Sequence, residues 1–184
     1  MRTLDIILSL IGLILLFPLL FFIYILNLIF YRSPLFFQKR VGLNLKIFFL
    51  IKFRTMKIET RNVATHLVDK KNITTFGKFL RLVKLDELPQ LWNVLIGDMS
   101  IVGPRPCLIS QKKLISARMK RGIYKAKPGI TGLAQINGIN MSTPELLIKL
   151  ESQMIKEMNL FKYFYCIFVT IYAIFKKKIL VSLF

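Results

Sequence analysis

The strongest constraint on the fold is a long apolar run near the N-terminus. Residues 6–30 read IILSLIGLILLFPLLFFIYILNLIF, interrupted only by Ser9, Gly12, Pro18 and Asn27. At about 1.5 Å per residue, a helix of this length can cross a hydrocarbon layer of about 30 Å. The run is too long for a signal-peptide core, and no small-residue cleavage site follows it. We therefore expect it to remain as a membrane anchor.

Pro18 lies in the middle of this run, where a proline removes one backbone hydrogen bond and bends the helix. Two shapes remain open: one kinked span, or a re-entrant helix that returns to the face it entered. Arg2 precedes the run, and Arg32, Lys39 and Arg40 follow it. Because basic residues stand at both ends, the charge bias that orients a simple crossing is weak. This arrangement suits a re-entrant helix with both ends in the cytosol.

The composition joins two properties that soluble proteins rarely combine. Hydrophobic residues make up 54% of the 184 positions, yet the formal net charge is +19. A disordered basic tail would be poor in apolar residues, so that class is excluded. The combination predicts a membrane-attached protein whose basic face meets anionic headgroups or anionic ligands. A nucleic-acid binder would need a soluble basic face with aromatic side chains on which bases stack. Most aromatic residues of this chain lie in apolar runs instead. We therefore expect no nucleic-acid partner.

Beyond the anchor, the hydrophobic pattern predicts a small α+β domain that is mainly helical. Residues 36–56 contain two strand-like runs around a turn at 41–44, which predicts a β-hairpin. Two short helices follow, one with apolar positions 76, 79, 80 and 83, the next with 88, 91, 92 and 95 and an end at Gly97. Residues 58–74 and 100–141 are predicted as loops, and a further helix begins at Pro144.

The C-terminal region predicts a helix that lies in the membrane interface. Residues 163–175 are apolar but too short to span a bilayer. Together with Lys176, Lys177 and Lys178 they are typical of an amphipathic helix with a basic edge. We therefore expect a membrane-anchoring segment at 1–32 and a cytosol-facing domain at 33–184 that ends in this helix.

Cysteine and histidine do not indicate a metal centre. Cys107, Cys166 and His66 have neither a metal-binding spacing nor that of a disulfide framework. A reducing, cytosol-facing compartment is the simplest interpretation, with His66 an ordinary surface or core residue.

The acidic residues are scarce, and two of them are adjacent. Asp86 and Glu87 stand just before Pro89 in a chain with only 9 acids. One interpretation is that they cap a helix and suit its dipole. The other is a pocket in which both hold Mg²⁺, or one attacks phosphorus as a nucleophile. Such a pocket needs cations, and the candidates are Arg81, Lys84, Arg105, Lys52 and Arg54.

Several blocks of sequence carry a family resemblance. They are KFRTM at 52–56, LRLVKLDELPQLWNVLIGDMSIVGPRP at 80–106 and KPGITGLAQINGIN at 127–140, with QKRVGLN at 38–44 in agreement. In order and spacing they resemble the bacterial sugar transferase family, the monotopic polyprenyl-phosphate phosphoglycosyl transferases. The resemblance covers nearly the whole chain. It implies a minimal catalytic domain, a re-entrant membrane helix broken at proline, and amphipathic helices in the interface.

The resemblance also implies an activity. Members transfer a sugar-1-phosphate from a UDP-sugar to undecaprenyl phosphate and release UMP. This is the first membrane step in making O-antigen, capsule, exopolysaccharide or glycoprotein glycans, on the cytosolic face of the bacterial inner membrane. Anionic lipids and downstream glycosyltransferases are the further partners that it implies. The sugar itself stays open.

The resemblance assigns roles to residues. Asp86 would be the nucleophile that forms a covalent phosphosugar intermediate. Glu87 would bind Mg²⁺ together with Asp86. Substrate phosphates would be bound by Arg81, Lys52, Arg54 and Arg105.

The sequence departs from the family pattern in two places. Ile139 stands where members commonly have an arginine, which removes a positive charge unless Lys125 or Lys127 compensates. Near the C-terminus the family has an aspartate with nearby tyrosines, where this chain has Glu151, Gln153 and Met154. The alternative is therefore a catalytically degenerate membrane relative that binds polyprenyl phosphate or scaffolds a glycan assembly complex.

Overall fold

The computed structural model describes residues 1–58, 60 and 70–182. His66 and most of the loop predicted at 58–74 lie outside the described residues. In chain order, the helices and strands are α1 (Arg2–Tyr31), β1 (Leu35–Val41), β2 (Ile47–Phe53), α2 (Thr75–Leu82), α3 (Gln90–Ile96), β3 (Ser100–Val102), β4 (Cys107–Leu108), α4 (Lys112–Lys120), β5 (Gly129–Thr131), α5 (Leu133–Ile136), α6 (Pro144–Glu157) and α7 (Leu160–Ser182).

The predicted β-hairpin is confirmed and forms the larger sheet. β1 and β2 pair antiparallel, with Gln38 opposite Leu50, and β4 joins the other edge of β1 through Arg40 and Leu108. Because side chains alternate across a strand, Gln38 and Arg40 point into the domain, whereas Phe37 is exposed. The inner face of the hairpin therefore carries a buried charge, which matters for the site below.

The smaller sheet is a pair of parallel strands whose backbones approach so closely that the contact requires glycine. Ser100 of β3 pairs with Gly129 of β5. A Cβ on Gly129 would lie 2.0 Å from the backbone nitrogen of Gly103, and one on Gly103 would lie 2.3 Å from the carbonyl oxygen of Lys127. Two backbones thus approach at a distance that no side chain allows. This contact fixes where the following segment 104–106 leaves the sheet.

The prediction of a loop over residues 100–141 is wrong in part. The segment contains α4, the short helix α5 and three short strands. Between Cys107 and Arg121 the chain has no Pro or Gly, and good helix formers such as Leu114, Ala117 and Met119 occupy α4. The strands could not be predicted because each is two or three residues long and pairs with a distant part of the chain.

One end of α1 is fixed to the domain by polar contacts. The Arg2 guanidinium donates to the carbonyl oxygens of Val94 and Leu95 at 2.5 and 2.8 Å, satisfying the last turn of α3. The buried Asp5 carboxylate accepts hydrogen bonds from the Ser100 hydroxyl, the Ile101 backbone N–H and the Tyr163 hydroxyl, at 2.7 to 2.9 Å.

The other end of α1 contacts the same domain. The buried Asn27 amide donates to the carbonyl oxygens of Pro34 and Arg54, both at 3.2 Å, and Tyr31 donates to Thr74 at 2.8 Å. Between positions 10 and 22 of this fully described helix, which includes Pro18, no side chain is buried.

This arrangement fits a re-entrant membrane helix. Of the described residues, only α1 forms a helix long and apolar enough to cross a membrane, judged by length and composition. A helix whose two ends contact one domain and whose middle exposes apolar side chains fits entry and return on one face.

The C-terminal helix is longer than the apolar run that predicted it. α7 covers Leu160–Ser182 and packs Tyr163 and Cys166 into the core. Its opposite face exposes aromatic and aliphatic side chains at helical spacing: Phe161, Phe164, Tyr165, Phe168, Ile171 and Tyr172. This pattern is that of an interfacial amphipathic helix. The predicted fold class, mainly helical α+β with a small hairpin, is thus confirmed.

Candidate active site

The two adjacent acids lie in a tight turn between α2 and α3. Asp86 and Glu87 belong to a 3₁₀ turn over Leu85–Glu87, which follows Lys84 in the left-handed conformation, with φ of 59°. The helix α3 begins only at Gln90 and carries no side-chain cap. Neither acid therefore caps that helix, and the capping interpretation loses its support.

The Asp86 carboxylate is buried and receives no hydrogen bond from the residues that the structure describes. Only 6% of Asp86 is exposed. Burial raises the pKa of Asp86, and the Glu87 charge raises it further, against the lowering effect of Lys52, Lys84 and Arg81. The net pKa is about 6. At neutral pH the Asp86 carboxylate is therefore mostly ionised. It accepts no hydrogen bond from the described residues, and cations surround it.

Glu87 has a contrasting environment. Its carboxylate accepts a hydrogen bond from Arg105 at 2.9 Å. Burial raises the pKa of Glu87, but the charges of Arg105 and Lys84 and this hydrogen bond outweigh burial and lower the pKa to about 2. Two neighbouring carboxylates with separated pKa values are typical of sites that assign them different roles.

Arg81 and Lys52 lie close enough to the dyad for their charges to act on its carboxylates. The Arg81 Nε donates to the Thr55 hydroxyl at 2.8 Å, and its charge acts on both carboxylates. Lys52 extends from β2. Burial and the nearby Arg40 charge lower the pKa of Lys52 to about 8, although the charges of Asp86 and Glu87 raise it.

Arg54 is placed apart from the dyad. Its guanidinium donates to the Ser33 carbonyl at 2.9 Å and to the Ser33 hydroxyl at 3.0 Å, and it stacks on Phe36 at 5.5 Å. Burial lowers the pKa of Arg54, and neither dyad carboxylate affects it. The arginine thus ties the end of α1 to β1 in this structure.

Arg40 also belongs to the site, although the sequence did not predict it there. It is only 8% exposed, and it donates to Gln38 at 3.0 Å and to the Pro106 carbonyl at 2.9 Å. Burial and the Arg105 charge lower its pKa to about 10. The available signal was its position on the inner face of the hairpin, where a charged residue requires a partner or a ligand.

The assembled site is an excess of positive charge around one free carboxylate. Among the residues that the structure describes, the charges that act on Asp86 and Glu87 come from Lys52, Arg81, Lys84 and Arg105, and Arg40 lies beside Lys52 and Arg105. Such an arrangement favours a ligand with several negative charges, such as a diphosphate.

The same carboxylates are the candidate metal ligands. Within the described part of the chain, no three His, Cys, Asp or Glu side chains converge on one point. A pair of carboxylates, of which Asp86 accepts no hydrogen bond from the described residues, nevertheless fits Mg²⁺, which commonly takes one or two carboxylates and completes its shell with substrate phosphates and water.

Comparison with known proteins settles the family. A sequence profile of the bacterial sugar transferase family matches residues 1–177. The chain belongs to this family. It is 37% identical over 189 aligned residues to a UDP-glucose:undecaprenyl-phosphate glucose-1-phosphate transferase of Escherichia coli (strain K12), covering 96% of this chain and 40% of that protein.

Two further relatives share shorter parts of the chain. A protein of the same name from Xanthomonas campestris pv. campestris is 48% identical over 122 residues, 62% of this chain and 25% of that protein. The uncharacterized sugar transferase EpsL of Bacillus subtilis (strain 168) is 47% identical over 120 residues, 65% of this chain and 59% of that protein. The chain thus spans less than two thirds of the length of each of these relatives.

The two departures from the family pattern have structural roles here. Ile139 is half-buried and packs against the cluster of Val41, Cys107, Leu114, Tyr124, Ala134 and Leu147. Glu151 is fully buried in an ion pair with Arg118. Lys127, one suggested substitute for the missing arginine, has its Nζ beside Gly97 and Arg2 instead.

Proposed function

We propose that this chain transfers a sugar-1-phosphate from a UDP-sugar to undecaprenyl phosphate and releases UMP. The observation that carries the proposal is the buried Asp86 carboxylate, ionised at neutral pH and without a hydrogen-bond partner among the described residues, inside a ring of cations. A carboxylate attacks a diphosphate only where cations offset the repulsion between them.

In the first step a carboxylate oxygen of Asp86 attacks the β-phosphorus of the donor. The bond between that phosphorus and the oxygen bridging to the α-phosphorus breaks, and UMP leaves with the bonding electrons. The product is a phosphosugar joined to Asp86. In the second step a phosphate oxygen of undecaprenyl phosphate attacks the same phosphorus, the bond to Asp86 breaks, and the lipid diphosphate sugar leaves. Two steps let one small site handle two bulky anionic substrates in turn.

The other residues bind and orient. Lys52, Arg81 and Arg105 would bind donor phosphates, and Arg40 adds its charge from the hairpin. Asp86 and Glu87, with donor oxygens, would hold Mg²⁺, which supplies charge neutralisation at the phosphates. Arg54, which contacts Ser33 and Phe36, has at most an indirect part in this binding.

The exposed apolar faces of α1 and α7 suit a lipid acceptor. α1 and α7 would place the domain, residues 33–184, on the cytosolic face of the inner membrane, where donor nucleotides and anionic headgroups are available. The lipid diphosphate sugar formed there would be the substrate of downstream glycosyltransferases. A degenerate relative is less well supported, because the dyad and its cations are intact and Ile139 contributes to packing.

The test is UMP release by purified protein with Mg²⁺ and a panel of UDP-sugars, with and without undecaprenyl phosphate. We expect acceptor-dependent UMP from one donor, and none from Asp86→Asn. Silence across the panel, in protein shown to be folded, would contradict the proposal and favour the degenerate relative.

A further inference from the structure

Within the described part of the chain, Arg40 is a buried cation that pairs with no acid. It is 8% exposed, and Gln38, two residues earlier on the same face of β1, is 3% exposed. The Arg40 Nε donates to the side-chain oxygen of Gln38 at 3.0 Å, and one Nη contacts the same oxygen. Because a buried charge with neutral partners costs free energy, this arrangement calls for a role beyond packing.

The other edge of the Arg40 guanidinium faces the chain just after Arg105. Its second Nη donates to the Pro106 carbonyl oxygen at 2.9 Å. The backbone of Arg40 pairs with Leu108 across β1 and β4, so its main chain and its side chain both contact this part of the chain. Since the guanidinium is planar and rigid, its bonds to Gln38 fix the direction in which it meets Pro106.

The Pro-Arg-Pro segment, residues 104–106, is held through its carbonyl groups. Pro104 and Pro106 have no N–H, so the carbonyl oxygen is the one backbone group through which each can form a hydrogen bond. The Pro104 carbonyl accepts from the Gly129 backbone N–H at 2.9 Å, and the Pro106 carbonyl accepts from Arg40. The small sheet therefore fixes one end of the segment, and the hairpin fixes the other.

The residue between these two fixed points is Arg105, which donates to Glu87 at 2.9 Å. We infer that Gln38 and Arg40 are positioning residues, which hold the Pro106 carbonyl so that Arg105 faces Glu87 and the donor phosphates. This role rests on the proposed function for its catalytic consequence, whereas the hydrogen bonds do not. Misplacing an oriented group by about 1 Å can reduce catalysis about 100-fold, so positioning residues have measurable effects.

Arg40→Lys tests the geometry separately from the charge. Lysine keeps the positive charge, but its single ammonium group cannot reproduce the planar fork that joins Gln38 to Pro106. We expect kcat/KM for the UDP-sugar to fall about 10- to 100-fold. In an Arg105→Ala background, the same substitution should cost less than about threefold, because the group that it positions is already gone. Wild-type activity of Arg40→Lys, or equal losses in the two backgrounds, would overturn the inference.

Gln38→Leu is a second variant, which leaves Arg40 and its charge in place but removes the oxygen that orients it. We expect a loss of about tenfold, again only where Arg105 is present. Lys39→Met is the matched control, because Lys39 lies on the exposed face of the same strand and contacts Phe49 there, at 5.7 Å from the ring centre. Its activity should stay within about twofold of the wild type. Unchanged activity of Gln38→Leu would contradict the positioning role.

A further readout does not depend on activity. If Arg40 positions Arg105, then Arg40→Lys should weaken the ion pair between Arg105 and Glu87. At pH 8, Glu87→Gln should therefore lower the unfolding midpoint of Arg40→Lys by at most about half as much as that of the wild type. The same comparison applies to Gln38→Leu.

Equal shifts of the midpoint in the variant and wild-type backgrounds would overturn the inference even if activity fell. If the wild type released no UMP, the proposed function would fail, and the unfolding comparison alone would decide whether Gln38 and Arg40 position Arg105.

Discussion

At the scale of single residues, the two adjacent carboxylates of the site differ in their hydrogen-bond partners. Glu87 accepts a hydrogen bond from Arg105. Asp86 is buried near several charged side chains but accepts no hydrogen bond from the described residues. In the proposed function Asp86 is the nucleophile and Glu87 has an electrostatic role, and each of these roles leads to a prediction.

Asp86→Asn should abolish UMP release, by at least about a thousandfold, because an amide oxygen cannot form the acyl phosphate. The variant should still fold, and its extraction from the membrane should be unchanged. Asp98→Asn is the matched control: among the described residues its carboxylate accepts one hydrogen bond, from the Asn93 amide at 3.4 Å, and it is no part of the dyad, so activity should persist. Turnover by Asp86→Asn equal to that of the wild type would remove the covalent mechanism.

The same substitution should stabilise the fold at pH 8. The folded-state pKa of Asp86 is raised from 3.8 to about 6, so protonation favours the folded state, and this contribution is lost as the pH rises through about 6. Ionised Asp86 therefore costs up to about 3 kcal/mol at pH 8, taking about 1.4 kcal/mol per pKa unit. Asp86→Asn should raise the unfolding midpoint at pH 8, and the difference should shrink towards pH 4.

Glu87→Gln should act in the opposite direction. The pKa of Glu87 is lowered to about 2, so its charge contributes stability above pH 4.5 that is lost as the pH falls through 2. The variant should therefore be less stable than the wild type at pH 8, measured by the same unfolding curves. A shift of the same sign for both variants would contradict the assigned environments.

The residue sequence indicated most of this site but not its geometry. The adjacent acids and the cations at 52, 81 and 105 were predicted and are found together. Arg40 was missed, and Arg54 lies elsewhere, because alternation along a strand does not reveal which face is buried until the partner strand is known.

At the scale of elements, close backbone packing positions the segment that carries Arg105. β3 and β5 meet at Gly103 and Gly129, where an added Cβ would lie 2.0 to 2.3 Å from backbone atoms. These glycines belong to the blocks that carry the family resemblance, so part of that signature reflects packing and not chemistry.

Gly129→Ala should displace Arg105 as well as destabilise the fold, by about 3 kcal/mol or more, because backbone cannot retreat as a flexible side chain can. UMP release should fall by at least about tenfold per folded molecule, because Arg105 would no longer be placed to bind a donor phosphate. The control is Gly138→Ala, where φ is 70° but no atom lies within 4 Å of the added Cβ. That variant should cost only about 1 kcal/mol and keep activity. Equal effects of the two would contradict the packing argument.

The helices with clear periodicity were predicted, and the short elements were not. α2, α3 and α6 follow from apolar spacing, a terminal glycine or a proline at the first position. α4 was missed because the surrounding Pro and Gly residues suggested loop throughout 100–141, and β3, β4 and β5 exist only through long-range pairing.

At the scale of the whole molecule, charge and apolar surface belong to different parts of the chain. α1 and α7 expose apolar faces, whereas the cations gather around the dyad and elsewhere in the domain. The net charge of +19 suits both an anionic membrane surface and anionic substrates. Composition predicted the attachment, but only the structure brings both ends of α1 to one domain.

Both ends of α1 should therefore be accessible from the cytosol. Thr3→Cys and Lys39→Cys change exposed positions on either side of the apolar run. A membrane-impermeant maleimide should label both in inverted membrane vesicles and neither in intact spheroplasts. The native Cys107 and Cys166 are buried and provide the unlabelled background. Labelling of residue 3 in spheroplasts would show a crossing helix and contradict re-entry.

The central claim is a covalent phosphosugar on Asp86, and intact-protein mass spectrometry tests it most directly. The purified chain would be mixed with Mg²⁺ and the active UDP-sugar, without undecaprenyl phosphate, and quenched. We predict an adduct of one phosphosugar per chain on the peptide containing Asp86, absent from Asp86→Asn and lost when the lipid acceptor is added. Acceptor-dependent UMP release from a chain that never carries the adduct would contradict the account and indicate direct transfer between the two substrates.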